Sequence, residues 1–414
     1  MRARIHRGAR EVGGSCIELA HEGARLLLDL GLPLGARDVR DVPLPDIAGL
    51  EAPDASLLGV VLSHPHLDHY GLVCRARAAL PVFMGEAAAR ILEQAAFFSG
   101  AGLARPPAGF LRHRTPLQVG PFTITPYLND HSAFDAYSVL VEAGGRRLFY
   151  SGDFRAHGRK PRCFQELVER PPHGLHALLM EGTHVHGVDA AKRGPSERDV
   201  ENSLIAVFRR APGAVLALYS PQNVDRLVTM YRACLRSGRT LVMDLYAATI
   251  AAATGCASIP RPGWDRVRVY LPRRQKMLVV RHEAFHRTAA VRSSRIFAEE
   301  LAERRAEFVL TFRQSMAAEL EEADCLAQAE ATWSMWPGYL REPSGEVLLD
   351  WLRRHGIELS VHHSSGHASV ADLQTFVVAL NPDRVVPIHT FAPEAYPSWF
   401  ASVEGHADLE WWDV

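Results

Sequence analysis

The sequence has no long apolar run, no cysteine motif and almost no net charge. No stretch approaches the roughly 18 to 20 apolar residues that a membrane-spanning helix requires. Five arginines or histidines occur in residues 1–10, but the apolar stretch of a signal peptide does not follow them. The six cysteines are scattered and form no CxxC pair, which argues against a disulfide framework or a cysteine zinc site. These absences predict a cytoplasmic protein without membrane contact.

The composition is that of an ordinary globular protein. Of its 414 residues, 47% are apolar and 22% are charged, enough for a large core and for two domains. The formal net charge of -1 excludes a global basic field that would attract polyanions. Nucleic acid stays open as a partner, because a local groove can be basic while the total charge is near zero.

The order of predicted elements divides the chain into three segments. The first third alternates short apolar runs with glycine turns, which predicts strands, among them 25–28, 147–150 and a buried strand over 57–62. The first helices are predicted over residues 71–79 and 85–98. From about residue 195, helical apolar spacing alternates with short strands, as in βαβ units around a parallel sheet. We predict a first domain over 1–194, an inserted α/β domain over 195–350, and a return to the first domain over 351–414.

A dense group of metal-binding residue types follows the predicted buried strand. Residues 63–69 read Ser-His-Pro-His-Leu-Asp-His, so three histidines and one aspartate fall within six positions. A divalent cation offsets such crowding of polar groups, and imidazole with carboxylate suits zinc. Asp68 and His69 are adjacent and cannot easily serve the same ion as His64 and His66, which indicates two sites. A solvated histidine-rich turn is the alternative interpretation.

Two further candidate ligands occur later in the chain. His131 lies between two predicted strands, and Asp153 ends a predicted strand on a glycine turn, in Ser-Gly-Asp. Each residue alone would mean little, since a single loop histidine is more often a surface or core residue than a ligand. Together with residues 64–69 they complete two coordination shells, with Asp153 placed to bridge them.

These motifs resemble those of a known superfamily. His-x-His-x-Asp-His, followed by a single histidine and Ser-Gly-Asp, resembles the metallo-β-lactamase superfamily, and Asp29 matches its early structural aspartate. The resemblance implies an α/β fold, the αββα sandwich. Glu181, His367 and His389 match the acidic motif A and the histidine motifs B and C of the β-CASP branch, which processes nucleic acids. Residues 219–226 also resemble the inserted β-CASP domain, and the pattern is similar to the ribonuclease J and mRNA 3′-end-processing groups.

The resemblance implies two divalent metal ions and assigns their ligands. Zinc is the expected metal, and manganese stays open because first-row affinities overlap. The first ion would be held by His64, His66, His131 and Asp153. The second would be held by Asp68, His69, Asp153 and His389.

The resemblance also implies a mechanism. A hydroxide activated by the two metals would attack an RNA phosphodiester, with Asp68, His367 and Glu181 as the catalytic residues. His367 would protonate the leaving oxygen as general acid, and Glu181 would hold its ring. The backbone N–H groups of Ser364, Ser365 and Gly366 would bind a phosphate oxygen.

Several functions remain as alternatives at this point. A histidine at position 389 indicates RNA, because DNA-specific members of the branch carry valine there, and single-stranded RNA is the expected substrate. A DNA nuclease of the same architecture and a small-molecule hydrolase on the same fold are the first rivals. A noncatalytic scaffold is the third, although such proteins lose metal ligands and all seven positions are filled here. A homodimer is left open as the assembly.

Overall fold

The structure, a computed structural model, describes residues 1–36, 38–186 and 193–414. Contacts between Cα atoms divide the chain into two compact units. The first unit comprises Met1–Glu93, Ala101–Gly194 and Gly366–Val414, and the second comprises Gln94–Gly100 and Pro195–Ser365.

The described residues form twenty strands. They are β1 (Arg2–Arg7), β2 (Cys16–His21), β3 (Ala24–Leu28), β4 (Leu57–Val61), β5 (Val82–Gly85), β6 (Gly109–Leu111), β7 (Leu117–Val119), β8 (Phe122–Leu128), β9 (Tyr137–Ala143), β10 (Arg146–Tyr150), β11 (Ala177–Glu181), β12 (Val215–Leu218), β13 (Thr240–Asp244), β14 (Val267–Tyr270), β15 (Arg295–Ile296), β16 (Phe308–Thr311), β17 (Glu330–Trp333), β18 (Glu358–Val361), β19 (Val385–Ile388) and β20 (Trp411–Asp413).

Twelve α-helices occur in the same ranges. They are α1 (Leu67–Tyr70), α2 (Glu86–Ser99), α3 (Pro161–Glu169), α4 (Glu197–Arg210), α5 (Val224–Ser237), α6 (Leu245–Ala253), α7 (Arg273–Arg281), α8 (Phe285–Ala289), α9 (Ala298–Glu303), α10 (Ala317–Glu322), α11 (Pro343–Arg354) and α12 (Val370–Leu380). In the part of the chain that the structure describes, none of the helices has the length and apolar character needed to cross a membrane.

The first unit is an αββα sandwich of two sheets. The strand orders are β20-β1-β2-β3-β4-β5-β6 and β19-β11-β10-β9-β8-β7. Alternate residues of a strand face opposite sides of its sheet. In β3, Leu28 packs in the core between the sheets, and Leu27 packs on the other face, in the cluster that contains α2. In β11, Leu179 packs in the core between the sheets, and Leu178 packs on the other face, against α12. The predicted fold class is therefore confirmed.

The second unit is built on one parallel sheet. Its strand order is β15-β14-β13-β16-β12-β17-β18, and every neighbouring pair runs parallel. Strands β12 and β16 are buried along their whole length, as expected for strands covered on both faces. The carboxyl ends of all seven strands consequently meet at one edge of the sheet.

The division into units differs from the predicted boundary at residue 350. Strand β18 pairs with β17 in the second unit, with Glu358 opposite Glu330. Trp351 and Leu352 of α11 pack in the core of the same unit. Residues 351–365 thus lie with the second unit, because both their pairing and their packing are there.

A helix predicted over residues 71–79 is wrong. Helix α1 ends at Tyr70, and only a 3₁₀ turn over Val73–Arg75 follows. The Arg105 side chain donates hydrogen bonds to the backbone carbonyls of Val73, Ala76 and Arg77. Val73 O and Arg77 O also accept from backbone N–H groups, those of Ala76 and Leu80, but in the i+3 pattern of a turn. A side chain from 28 or more residues away thus bonds carbonyls that a continuing α-helix would pair with the N–H groups four residues later.

Candidate metal centre

The histidine-rich loop begins where β4 ends, and a buried aspartate organises it. Asp29 is fully buried and accepts four hydrogen bonds: from Ser63 N and Oγ at 2.7 Å each, from His69 Nδ1 at 2.7 Å, and from Tyr150 Oη at 2.5 Å. Its backbone has a φ of 60°, the left-handed region that a non-glycine residue rarely adopts. Asp29 therefore fixes both the start of the loop and the ring of His69, as the sequence predicts.

The seven predicted metal ligands lie together in two groups. His64, His66 and His131 form one group, and the other consists of Asp68, His69, Asp153 and His389; within each group the potential ligand atoms lie within 4.8 Å of one another. Asp153 lies between the groups. Its Oδ2 is 3.1 Å from His69 Nε2, 3.6 Å from His389 Nε2 and 3.8 Å from His64 Nε2.

The strand ends of the two sheets explain why residues so far apart in sequence meet. Strands β10 and β11 run parallel, and β11 also pairs in parallel with β19, with Glu181 opposite Ile388. The carboxyl ends of these neighbours lie at one edge, so Asp153, Glu181 and His389 follow or end adjacent strands. His389 itself has a φ of 49°, and its N–H donates to Gly8 O at 2.7 Å. A left-handed histidine held by the opposite sheet is typical of a functional position.

The donor atoms of both groups fit divalent cations. Within the described residues, His64 Nε2, Asp153 Oδ1 and His389 Nε2 are buried and have no hydrogen-bond partner. Buried polar atoms are rarely left unpaired in native proteins, and an ion that accepts their lone pairs satisfies them. His66 Nδ1 and His131 Nε2 lie only 3.2 Å apart, which suits two lone pairs directed at one cation. Nitrogen with carboxylate oxygen is the donor set that zinc prefers.

The remaining ring nitrogens are held by outer partners. His131 Nδ1 donates to the carbonyl of Gly366 at 2.6 Å. His64 Nδ1 lies 3.0 Å from Ser63 Oγ, and His389 Nδ1 lies 3.0 Å from Ser15 Oγ. Such contacts fix the ring orientation and leave Nε2 directed at the cluster. Ser15 was not predicted, and only its position after the Gly13-Gly14 turn marks it in the sequence.

The histidines of these groups differ in protonation because their electrostatic surroundings differ. Burial holds the pKa of His64 and of His131 well below the usual range, so both rings are neutral near pH 7. Burial lowers the pKa of His69 too, but the carboxylates of Asp153, Asp68 and Asp29 outweigh it and raise that pKa. His69 therefore keeps a proton where a metal ion would bind, and metal binding would release it.

Replacing Asp29 with asparagine should weaken metal binding without removing a ligand. The amide cannot accept from His69 Nδ1, Ser63 and Tyr150 together, because one of its two polar atoms is a donor. Loss of such an outer partner typically costs roughly 10- to 100-fold in metal affinity. Competition with a fluorescent chelator would measure this affinity, with Asp54→Asn, a surface change near Ser56, as the control. Unchanged affinity in Asp29→Asn would contradict the role given to Asp29.

A third cluster joins the centre through Asp153. His367 Nδ1 lies 3.2 Å from Glu181 Oε2 and 3.7 Å from Asp153 Oδ2, and Glu181 is almost completely buried. Burial lowers the pKa of His367, but the carboxylates of Glu181 and Asp153 outweigh it and raise the pKa to about 9. The predicted pair of Glu181 and His367 is thus brought together, with a protonated imidazole that is partly exposed.

Two neighbours of His367 were missed in the sequence. Thr183 Oγ1 lies 3.1 Å from His367 Nδ1, and the ring of His184 meets that of His367 edge to face at 6.1 Å between centroids. They lie two and three residues after Glu181, and their position in a loop after a strand that carries a site residue is the signal in the sequence.

The predicted phosphate-binding residues have different surroundings. The Ser364 side chain is buried in the second unit, where it contacts Glu197 and Arg226. The Gly366 carbonyl accepts from His131, and a Cβ at Gly366 would lie 2.8 Å from Ser132 Oγ. The assignment of Ser364, Ser365 and Gly366 rests on their backbone N–H groups and stays a prediction, as do the metal-ligand and catalytic roles of the other residues.

Known proteins match part of this chain in sequence and nearly all of it in fold. Residues 40–186 match the beta-lactamase superfamily domain. Ribonuclease J of Mycobacterium tuberculosis is 26% identical over 245 residues, which is 56% of this chain and 42% of that protein. Ribonuclease J of Synechocystis sp. is 26% identical over 53% of this chain and 35% of that protein, and that of Helicobacter pylori is 22% identical over 53% and 33%.

A solved structure resembles the whole chain. The crystal structure of a protein of unknown function from Enterococcus faecalis V583 aligns with this chain with a TM-score of 0.78 and 21% identity. The alignment covers 99% of this chain and 99% of that protein's chain. The aligned part of the chain spans less than half the length of the ribonuclease J relatives named above. The structural match extends to the second unit, and at this identity it bears on the fold alone.

Proposed function

Because the chain carries a metallo-β-lactamase domain and resembles the β-CASP branch of that superfamily, we propose that it is a metal-dependent nuclease that cleaves single-stranded RNA. The observation that carries the proposal is the position of the Glu181–His367 pair. It adjoins both candidate metal groups through Asp153. A proton donor beside a metal centre suits a reaction in which a poor leaving group, such as a ribose oxygen, must be protonated.

We propose two bound ions, one held by His64, His66, His131 and Asp153 and one by Asp68, His69, Asp153 and His389. Zinc fits the donor set, and manganese is the alternative. When bound, the two ions would lower the pKa of water to near neutrality and neutralise charge on the phosphate.

The side chains of the centre have separate tasks in this reaction. Protonated His367 donates its proton to the leaving 3′-oxygen, and Glu181 Oε2 keeps the ring oriented and charged. Asp68 is the more exposed of the two cluster carboxylates, with 19% of its side chain accessible against 2% for Asp153. Its Oδ2 therefore orients the attacking water, and the N–H groups of Ser364, Ser365 and Gly366 bind a phosphate oxygen.

Two observations favour RNA over DNA. A histidine stands at position 389, where the sequence pattern of DNA-specific members has valine. Curated relatives that match the chain are named ribonuclease J. We place the enzyme in the cytoplasm, consistent with its six scattered cysteines, which form no CxxC pair, and propose a homodimer as the assembly to test.

The test is metal-supplemented cleavage of end-labelled single-stranded RNA and of DNA with the same sequence. We expect RNA to be cut, chelator to abolish the reaction, and added zinc or manganese to restore it. Preferential cleavage of DNA would overturn the substrate but keep the mechanism. If metal is bound and neither polymer is cut, the nuclease proposal fails, and ester and thioester substrates become the next candidates.

A further inference from the structure

A buried ion pair lies in the second unit, at the beginnings of α4 and α5. The side chains of Glu197 and Arg226 are both fully buried, and their contact is bidentate, with Arg226 Nη2 donating to Glu197 Oε1 at 2.8 Å and Nε to Oε2 at 3.2 Å. Thr229 Oγ1 adds a hydrogen bond to Glu197 Oε2 at 2.6 Å. A buried ion pair gains little stability over well-packed apolar residues, because both charges lose their hydration. Its presence therefore calls for a role other than stabilising the core.

The pair is bonded to the segment that precedes His367. Ser364 Oγ donates to Glu197 Oε1 at 2.7 Å, and Arg226 Nη2 donates to Ser364 Oγ at 3.2 Å. Arg226 Nη1 donates to the backbone carbonyl of His362 at 3.2 Å. These contacts hold both the backbone and a side chain of residues 362–364.

A second strand end completes this network. Arg226 Nη1 also donates to Ser334 O at 2.8 Å, and Ser334 Oγ donates to His362 O at 2.7 Å. Ser334 follows β17 and residues 362–364 follow β18, so the guanidinium joins the ends of two neighbouring parallel strands. The planar fork of arginine presents several donors in fixed directions, which suits it to this task better than lysine.

The position of Arg226 is itself fixed by local structure. Asn223 caps α5, and its side chain accepts from Arg226 N at 2.9 Å. Residues 219–226, which resemble the inserted β-CASP domain, include both the cap and the arginine. None of these residues belongs to the metal or acid groups described above.

The chain after Ser364 is anchored at two more points. Gly366 O accepts from His131 Nδ1 at 2.6 Å, and Ala368 N donates to Glu181 Oε1 at 3.4 Å. Only Ser365 and Gly366 separate the serine held by the ion pair from His367. A shift of Ser364 would therefore be transmitted along the backbone to the imidazole within a few bonds.

We propose that Arg226 and Glu197 are positioning residues, which set residues 362–364 and through them the placement of His367. The inference deepens the proposed nuclease function and rests on it where cleavage is the readout. In this proposal the ion pair determines the position of the acid, His367, and neither Arg226 nor Glu197 touches substrate or metal.

The decisive variant is Ser364→Ala, which removes one hydroxyl and leaves the ion pair intact. We expect kcat for RNA cleavage to fall roughly 10- to 100-fold, the range that follows from a small misplacement of a reacting group, with KM changed less than about threefold. Metal content should equal that of the wild type. Arg226→Lys, which keeps the charge but loses the fork, should lower kcat at least as much.

A matched control separates positioning from general loss of stability. Thr311 is a fully buried residue of the same sheet, and its hydroxyl contacts that of Tyr219 at 2.9 Å. Thr311→Val removes a comparable buried hydroxyl away from residues 362–364. It should lower the melting temperature about as much as Ser364→Ala while kcat stays within about twofold of the wild type.

Hydrogen exchange provides a readout that does not depend on activity. In Ser364→Ala, and not in Thr311→Val, backbone amides of residues 362–368 should exchange faster. If the wild type cuts RNA but Ser364→Ala keeps both its kcat and its exchange rates, the positioning role is overturned. If the wild type cuts no RNA, the nuclease proposal fails instead, and unchanged exchange in Ser364→Ala would still overturn the inference separately.

Discussion

Asp153→Asn should lose both its metal and its activity. Asp153 Oδ2 lies within 3.8 Å of ring nitrogens from His64, His69 and His389, and its buried Oδ1 has no hydrogen-bond partner among the described residues. Although burial raises the pKa of Asp153, the neighbouring imidazoles of His389 and His69 outweigh it and hold that pKa well below its usual range. The carboxylate is thus ionised, and it is the negative charge shared by the two groups.

Asparagine keeps the shape of this side chain but removes the charge. Loss of an outer partner alone costs roughly 10- to 100-fold, so loss of the proposed bridging ligand should reduce RNA cleavage by more than about 100-fold. Metal content per chain, measured by mass spectrometry of the purified protein, should fall from the proposed two ions toward zero, because both proposed ligand sets include Asp153.

The control for Asp153 is another buried aspartate of the first unit. Asp372 is 5% exposed and accepts from Ser369 Oγ at 2.7 Å at the start of α12. Asp372→Asn should retain full metal content and a rate close to that of the wild type. An Asp153→Asn protein that binds two ions and cleaves at the wild-type rate would remove Asp153 from the centre.

His367→Ala should separate catalysis from metal binding. His367 is in hydrogen-bond contact with Glu181, and its raised pKa keeps a proton available at neutral pH. General-acid catalysis by a positioned side chain is typically worth roughly 10² to 10⁴-fold, and cleavage of RNA should fall by that factor. Metal content should not change, because the ring is outside both ligand groups.

The leaving group provides the sharpest check on this role. A nitrophenolate leaves without protonation, so His367→Ala should reduce hydrolysis of a p-nitrophenyl phosphodiester far less than it reduces cleavage of RNA. His184→Ala is the control, because it removes a neighbouring ring and leaves the contact between His367 and Glu181 in place. An equal loss on both substrates, or a loss of metal, would show that His367 is not the acid.

The local part of the site was predictable, and the reason is physical. Residues 64–69 carry four potential ligands in a single short segment after a buried strand, so their proximity requires no knowledge of the tertiary structure. Short apolar runs between turn residues likewise predict strands such as β3 and β10 to within one residue. The sequence indicates three further ligands, His131, Asp153 and His389, only in combination with residues 64–69 or through the family resemblance. No local pattern marks them, because strands that are distant in sequence bring them to the centre.

The parts that were missed depend on contacts between distant residues. The helix predicted over 71–79 is wrong because this segment forms turns, whose carbonyls at Val73 and Ala76 are bonded by the distant Arg105 side chain. The observed domain boundary differs from the predicted one at residue 350 because β18 pairs with β17. The sequence of one strand does not determine which strand it pairs with. Ser15 is marked in the sequence only by the Gly13-Gly14 turn before it, since its role comes from contact with His389, 374 residues later.

The neighbouring positions of β1 and β20 have a consequence for synthesis of the protein on the ribosome. The first and last strands of the chain pair in the first sheet, and His389 reaches the centre only with β19. While the chain is still growing, the second unit is complete at residue 365, but the first unit lacks α12, β19 and β20. A nascent chain that ends at residue 365 therefore holds six of the seven proposed metal ligands and lacks His367, and the centre can assemble only once the chain extends to His389. The pairing of β1 with β20 closes a long loop of the chain, and such contacts between distant residues predict slow folding of the first unit.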